Sequence, residues 1–359
     1  MFNRAGPSFD EKATTSVRNQ SRRSQGHRAL FLSSILAYLH GAMNRAIPAK
    51  RGWRRWRRAL LVACILLGTL YGSCRIAARH LMEKLALTTG PNGPETPATV
   101  GIPFERVAIR SGARRLDSYV VTASDSCMDP PVALIYHGVQ ETISEWVKAQ
   151  RFLYDHCVSS VVFDYTGSGN SSRPARFEAV GEDCLAAYEF ARVHFPGKAL
   201  YVLGHSMGNG PMLEAVPRFS SRPAGVIVAN AFASLRLVAG TRNNLLYRLL
   251  GYTIPDWWDN VKTVGEIHVP VLVMHSDSDR VNPVNGGQMI FAAAQKPKTL
   301  TILHGYEHNA LYQGPTEEWW SAALVFMSAA APHAARGGQV HRRTGRDGWS
   351  AWSRIRNCG

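Results

Sequence analysis

No H-E-x-x-H pair and no paired Cys/His spacing of the kind that holds zinc occurs in the 359 residues, so no metal centre is expected. A G-x-x-x-x-G-K-[ST] loop is missing as well. Gly167-Ser-Gly169 begins like a dinucleotide loop, but the position of the third glycine holds Ser172. Nucleotide binding is therefore excluded as the reading, and no cofactor is expected. Cysteine is scarce, with six in all. Cys64 and Cys74 lie in an apolar stretch and Cys358 near the end, which leaves Cys127, Cys157 and Cys184 in between. Three allow at most one internal disulfide and demand none. Cys184 shares helical spacing with Phe177, Val180 and Tyr188 and reads as a small core residue.

Acidic residues are also short: 26 Asp and Glu face 41 Lys and Arg, a formal charge of +15. The excess is confined to the ends. Residues 1–58 carry 13 basic against 2 acidic side chains, residues 332–359 carry 6 against 1, and residues 59–331 hold 22 against 23. A nucleic-acid-binding fold carries its positive charge on the fold itself, so that class is discounted.

Residues 1–28 are polar and aperiodic and are expected to be disordered. Ala29–Met43 has apolar residues at helical spacing, but Ser33, Ser34 and His40 make it a poor membrane span. Lys50-Arg-Gly-Trp-Arg-Arg-Trp-Arg-Arg then precedes Ala59–Cys74, sixteen residues without a charge. A basic region followed by an apolar one is the pattern of an export signal or signal anchor, and it would be cleaner from Met43 than from Met1. The twin-arginine match is poor, the lipid-attachment box ending at Cys74 is degenerate, and no A-x-A cleavage site follows. Sixteen helical residues rise about 24 Å, short of a hydrocarbon core of roughly 30 Å. The arginines still predict membrane anchoring or export, with the near-neutral domain on the non-cytoplasmic side. Residues 1–58 are thus read as a basic leader, 59–74 as anchor or export segment, 75–103 as linker and 332–359 as a basic tail.

Between linker and tail, apolar runs alternate with helical patterns. Strands are predicted at Val107–Ser111, Leu116–Thr122, Val132–Tyr136, Ser159–Asp164, Leu200–Leu203, Val226–Asn230, Val271–His275 and Thr299–Leu303. Helices are predicted at Glu141 to about His156, Phe177–Phe195, Asn209–Phe219 and Glu317–Ala330. Such alternation means crossover connections and a mostly parallel sheet of eight strands with helices on both faces, an α/β class. The fifth strand runs into Gly204-His205-Ser206-Met207-Gly208, of the form G-x-S-x-G. A strand that must turn sharply into a helix forces its central residue into a strained conformation, with glycines two positions either side. Pro211 fits only because it falls in the first turn of that helix.

A serine-bearing turn after the fifth of eight strands resembles the α/β-hydrolase fold, over about Phe104–Ala331. The resemblance implies Ser206 as nucleophile, with acid and histidine following in that order. Ser276-Asp277-Ser278-Asp279-Arg280-Val281-Asn282-Pro283 is similar to the family's G-x-x-D-x-V-x-P loop, which implies Asp279 as the acid and Asp277 as the fallback. His304-Gly305-Tyr306-Glu307-His308, after the last strand, implies His308 as the base, with His304 packing at the strand end. His137-Gly138-Val139 resembles the family's His-Gly-x loop, so the oxyanion donors implied are the amides of Met207 and Val139. Asp164-Tyr-Thr-Gly-Ser-Gly-Asn-Ser is similar to the family's D-x-R-G-x-G-x-S, with Thr166 in place of the arginine.

Residues 230–269 leave room for only a short cap, in which Trp257 and Trp258 are candidates for an acyl site. A short cap with an anchor resembles the membrane-associated branch that contains lysophospholipases, monoacylglycerol lipases and acyl-protein thioesterases. That branch implies an acyl-enzyme hydrolase of carboxylic or thioester bonds, with an acyl ester or lipid substrate. A proline-iminopeptidase-type peptidase, an acyltransferase or a non-catalytic binding protein on the same fold are the rivals. Ser206 at the elbow excludes an Asp-nucleophile dehalogenase.

Overall fold

A computed structural model of the chain describes residues 50–237 and 258–329. The segments predicted over 1–28 and Ala29–Met43, Trp257, and the tail 332–359 lie outside the described residues. The chain divides into two units, Met1–Cys74 and Arg75–Gly359.

The first unit contributes most of a helix, α1 (Lys50–Leu87), whose Leu60, Leu61, Ile65, Leu66, Leu67 and Leu70 are all exposed. At 38 residues, it is far longer than the sixteen uncharged positions suggested. Residues 75–87, expected as linker, are helical instead. The reason lies in the second unit, where Glu83 and Leu87 are buried one helical turn apart and Ala78 is buried as well. Glu83 accepts the Phe177 N–H at 3.2 Å, and the Leu87 carbonyl accepts the Ser168 hydroxyl at 3.1 Å.

The second unit is built on eight strands: β1 (Glu105–Ser111), β2 (Arg114–Val121), β3 (Val132–Tyr136), β4 (Ser159–Phe163), β5 (Leu200–His205), β6 (Gly225–Ala229), β7 (Val271–Ser276) and β8 (Lys298–Leu303). They lie in the order β1-β2-β4-β3-β5-β6-β7-β8. Only β2 runs against its neighbours; every pair from β4 to β8 is parallel. Residues of the central strands alternate between two cores. Leu134, Val202 and Val228 face one, and Ile135, Leu203 and Ile227 face the other. Both faces being covered is why these strands read as unbroken apolar runs. Covering them are α2 (Val147–Asp155), α3 (Phe177–His194), α4 (Asn209–Ala215), α5 (Asn260–Val264), α6 (Asn285–Ala293), α7 (Ala310–Gln313) and α8 (Glu317–Ala329). The helix predicted from Glu141 begins later, as a 3₁₀ turn over Ile143–Trp146, because Thr142 caps it through Glu145 and Glu141 turns inward.

In register, Tyr136 pairs with Gly204, His205 with Ala229, and Ala229 with Met274. The carboxyl ends of β3, β5, β6 and β7 therefore finish side by side, and the loops after them converge. The loop after β4 starts with Asp164, fully buried, whose Oδ1 accepts the Ile143 N–H at 3.0 Å. Burial pushes this carboxyl up to about 7, against the hydrogen bond from Ile143. Its Oδ2 and Asn92 Oδ1 are both buried without a partner, and a Cβ on Gly169 would stand 2.0 and 2.1 Å from them.

A disulfide joins Cys127, after β2, to Cys157, after α2, across a separation of 30 residues. Cys184 is a buried free thiol in the core.

Two expectations follow for stability. Closing a loop of this length stabilises by about 3–4 kcal/mol, so Cys127→Ser/Cys157→Ser should melt several degrees lower, as should the native chain in reductant. A melting curve indifferent to both would show that the bond does not form. For Asp164, a folded pKa above the unfolded one gives stability that is full below about pH 4 and is lost as pH rises through about 7. Asp164→Asn keeps the Ile143 hydrogen bond without that loss, so thermal melts from pH 4 to 8 should show the variant gaining steadily on the native chain. Parallel curves would contradict a neutral Asp164.

Candidate active site

Ser206 sits where β5 ends and a 3₁₀ turn (Ser206–Gly208) leads into α4. Its φ is 50°, the left-handed region that a residue with a Cβ occupies at a cost. The glycines around it answer to close approach. A Cβ on Gly208 would lie 2.0 Å from the Tyr136 carbonyl and 2.5 Å from that of His137. One on Gly204 would lie 2.7 Å from Asn209 Oδ1 and 2.9 Å from Met212 Cε. Asn209, fully buried, then ties the turn down by donating to the carbonyls of Ser206 (3.0 Å) and Ala229 (2.9 Å).

The Ser206 hydroxyl lies 2.9 Å from His308 Nε2, and His308 Nδ1 lies 2.6 Å from Asp279 Oδ2. A carboxylate only accepts, so Nδ1 carries the proton and Nε2 offers a lone pair to the serine. Asp279 Oδ1 accepts the amides of Val281 and Asn282, each at 2.8 Å. Burial raises the Asp279 carboxyl, but the bond and charge of His308 and those two amides outweigh it and leave the group below its ordinary value. Asp277 stands elsewhere. Its carboxylate accepts the Gly305 amide at 3.0 Å and pairs with the exposed His304 at 2.6 Å. The Gly305 amide, then His304, hold it down at about 2. His304, expected to pack, is on the surface because Asp277 draws it outward.

On the other side of Ser206 runs the loop after β3. A Cβ on Gly138 would stand 3.2 Å from Ser206 Cβ, so this loop passes directly over the hydroxyl's carbon. The Gly138 amide is already bonded, to Glu141 Oε2 at 2.7 Å. Val139, next along, is 39% exposed at the rim, whereas Met207 is buried. Trp258 is in the core, its ring edge-on to Phe177 and packed against Gly210, and its amide donates to Glu214 at 3.1 Å. Those contacts are packing contacts, and none of them reaches the serine.

Several polar residues here carried no signal strong enough to be singled out beforehand. Glu141 and His205 form a buried pair at 3.0 Å. Asn230, at the end of β6, donates to the His308 carbonyl at 2.8 Å, and its own carbonyl accepts Asn282 Nδ2 at 2.8 Å. Its side-chain oxygen also accepts the Ser276 amide at 3.1 Å. A glutamate three residues beyond Gly138 was the visible clue, since that spacing lets a side chain fold back on a backbone amide. Among the described residues, no cluster of three or more His, Cys, Asp or Glu could hold a metal ion.

Residues 131–263 match a family model described as serine aminopeptidase, S33. Among curated relatives, the zebrafish lysophosphatidylserine lipase ABHD12 is 28% identical over 232 residues, covering 56% of this chain and 59% of the relative. YfhR of Salmonella typhimurium, uncharacterised, is 23% identical over 286 residues, covering 76% of this chain and 94% of that one. The chain thus spans little more than half the length of the lipase it matches. Of the solved structures, the Pyrococcus furiosus esterase Pf2001 superposes with a TM-score of 0.54 at 16% identity, over 67% of this chain and 98% of that one. Sheet order, elbow and these matches agree on an α/β-hydrolase fold, and the chain is similar in sequence to serine hydrolases of that fold.

Proposed function

We propose that the chain hydrolyses carboxylic ester or thioester bonds through an acyl-enzyme on Ser206. The observation that carries this is the run of contacts from Ser206 Oγ to His308 (2.9 Å) and from His308 to Asp279 (2.6 Å). His308 Nε2 takes the Ser206 proton as Oγ bonds to the acyl carbon, and the carbonyl π pair moves onto oxygen. The amides of Met207 and Val139 receive that oxyanion, each worth about 3 kcal/mol of barrier. As the carbonyl re-forms, the bond to the leaving group breaks and His308 returns the proton to it. Water then repeats the sequence against the acyl-enzyme, with His308 taking its proton and giving it back to Ser206. Asp279 holds the imidazole in one tautomer and faces its charge throughout.

An acyl chain of lipid type is the substrate class, supported by the lipase among the relatives and by α1. This helix is long and apolar enough to cross a membrane, none of its apolar window is buried, and five arginines lie within residues 51–58. Positive residues stay on the cytoplasmic side. The Cys127–Cys157 bond points the same way on separate grounds, because disulfides persist outside the reducing cytosol. Membrane attachment with the catalytic domain on the non-cytoplasmic side satisfies both. The matching family model's description favours one second reading, an aminopeptidase that cleaves an amide with the same triad.

Four measurements test these readings. Ser206→Ala should abolish fluorophosphonate labelling and hydrolysis of p-nitrophenyl esters while keeping the melting curve; labelling that persisted would remove Ser206 from the role. Faster turnover of an amino-acid p-nitroanilide than of any ester would favour the peptidase. Asp279→Asn should lose about four orders of magnitude in kcat, and Asp277→Asn, whose partner is the exposed His304, less than threefold; the reverse ranking would move the acid. On fractionation, the full chain should pellet with membranes and be open to protease from the non-cytoplasmic face alone. Recovery in the soluble fraction would dismiss the anchor and leave the chemistry untouched.

A further inference from the structure

Beneath the triad lies a second carboxylate–imidazole pair that the mechanism above does not use. Glu141 is 6% exposed and His205 is fully buried. His205 Nδ1 lies 3.0 Å from Glu141 Oε1, and His205 Nε2 lies 3.1 Å from the backbone carbonyl of His308. A carbonyl accepts only, so Nε2 carries a proton. With Glu141 ionised its oxygen also only accepts, so Nδ1 carries one as well and His205 is an imidazolium. Burial opposes charge on both groups. Their mutual attraction and hydrogen bonds outweigh it, leaving Glu141 below and His205 above its ordinary value. The other oxygen of Glu141 accepts two donors, the Gly138 amide at 2.7 Å and the Trp146 indole at 2.9 Å. Three donors thus converge on this one carboxylate.

The consequence is a mechanical link between the two halves of the site. Through Gly138, Glu141 fixes the loop that passes over Ser206 and carries the Val139 amide as its next residue. Through His205, it fixes the backbone from which the His308 imidazole reaches the serine. Asn230 supplies the second donor to the same His308 carbonyl, so the base hangs from two points. We propose that Glu141, with His205, is a positioning pair: one buried carboxylate sets the oxyanion loop and the general base relative to one another. This rests on the reading of Ser206, His308 and the Val139 amide given above. The pair touches no reacting atom. Its effect should therefore appear in kcat and leave substrate binding alone.

The test uses the full chain in detergent micelles, with p-nitrophenyl butyrate as substrate and kcat expressed per serine titrated by a fluorophosphonate, so that unfolded protein does not count. Glu141→Gln keeps the shape and one acceptor but cannot hold the cation. It should lower kcat about 30- to 100-fold with KM within threefold. His205→Asn leaves Gly138 and Trp146 bonded to Glu141 and should lower kcat about tenfold, again with KM held. The double variant should lose no more than about threefold beyond the worse single one, because both act through one link. If Glu141→Gln does not fold, His205→Asn alone decides. Variants that turn over within threefold of the native chain, losses that multiply in the double variant, or losses carried by KM would each overturn the proposal. A native chain that fails to label at Ser206 would instead overturn the reading on which it rests, and labelling separates the two failures.

Discussion

The close approach of two backbones at Gly208 is what the rest of the site depends on. With 2.0 Å between a would-be Cβ and the Tyr136 carbonyl, the turn after β5 is pressed onto the end of β3. That contact makes the elbow tight enough to hold Ser206 at φ 50° and brings the loop over Ser206 Cβ. Hydrogen bonds then keep the strained residue in place. Asn209 reaches back to the carbonyls of Ser206 and Ala229, tying the elbow to β6 as firmly as Gly208 ties it to β3. Strain of this kind costs on the order of 1–3 kcal/mol and lasts only where the surroundings over-determine it.

Around this point the loops at the carboxyl ends of the strands are fastened to one another more than to their own elements. Asn230 bonds the His308 carbonyl, the Ser276 amide and, through its own carbonyl, the Asn282 amide group. The Ser276 hydroxyl donates to the Tyr306 carbonyl at 2.6 Å. One asparagine at the end of β6 thereby sets the acid loop and the histidine loop on a common frame. A parallel sheet delivers strand ends to one edge in register but says nothing about how the loops beyond them close. Buried side-chain amides do that work here, Asn209, Asn230 and Asn282 each giving their N–H groups to backbone carbonyls of neighbouring loops.

How much of this could be read from the chain follows from which signals are local. Val132–Tyr136 is a strand at the very residues its apolar run marked, and Ser206, His308 and Asp279, far apart in the chain, lie in contact at 2.9 and 2.6 Å. Asp279 rather than Asp277 was implied by the resemblance of residues 276–283 to the family's acid loop. Glu141, His205 and Asn230 belong to another category. Their partners are 64, 103 and 78 residues away, and a single buried polar residue leaves no periodicity to detect. The extra helical turns over 75–87 were hidden for a different reason. Their exposed positions include Arg75, Glu83's neighbour Lys84 and His80, so the hydrophobic run stops while the buried pair Glu83 and Leu87, one turn apart, carries on.

Two imidazoles stand with ring centres 5.0 Å apart, each paired with a buried carboxylate, yet only one is placed to move a proton. Burial does not separate them, nor does the carboxylate, since both Glu141 and Asp279 lie below their ordinary values against the same cost of desolvation. The partner of the second nitrogen separates them. His205 Nε2 meets a carbonyl, which accepts only, so its proton has nowhere to go and the ring is a fixed strut. His308 Nε2 meets a hydroxyl, which can donate and accept, so the same atom can take a proton from Ser206 and return it. The difference between support and chemistry at this site is a matter of which oxygen the last nitrogen faces.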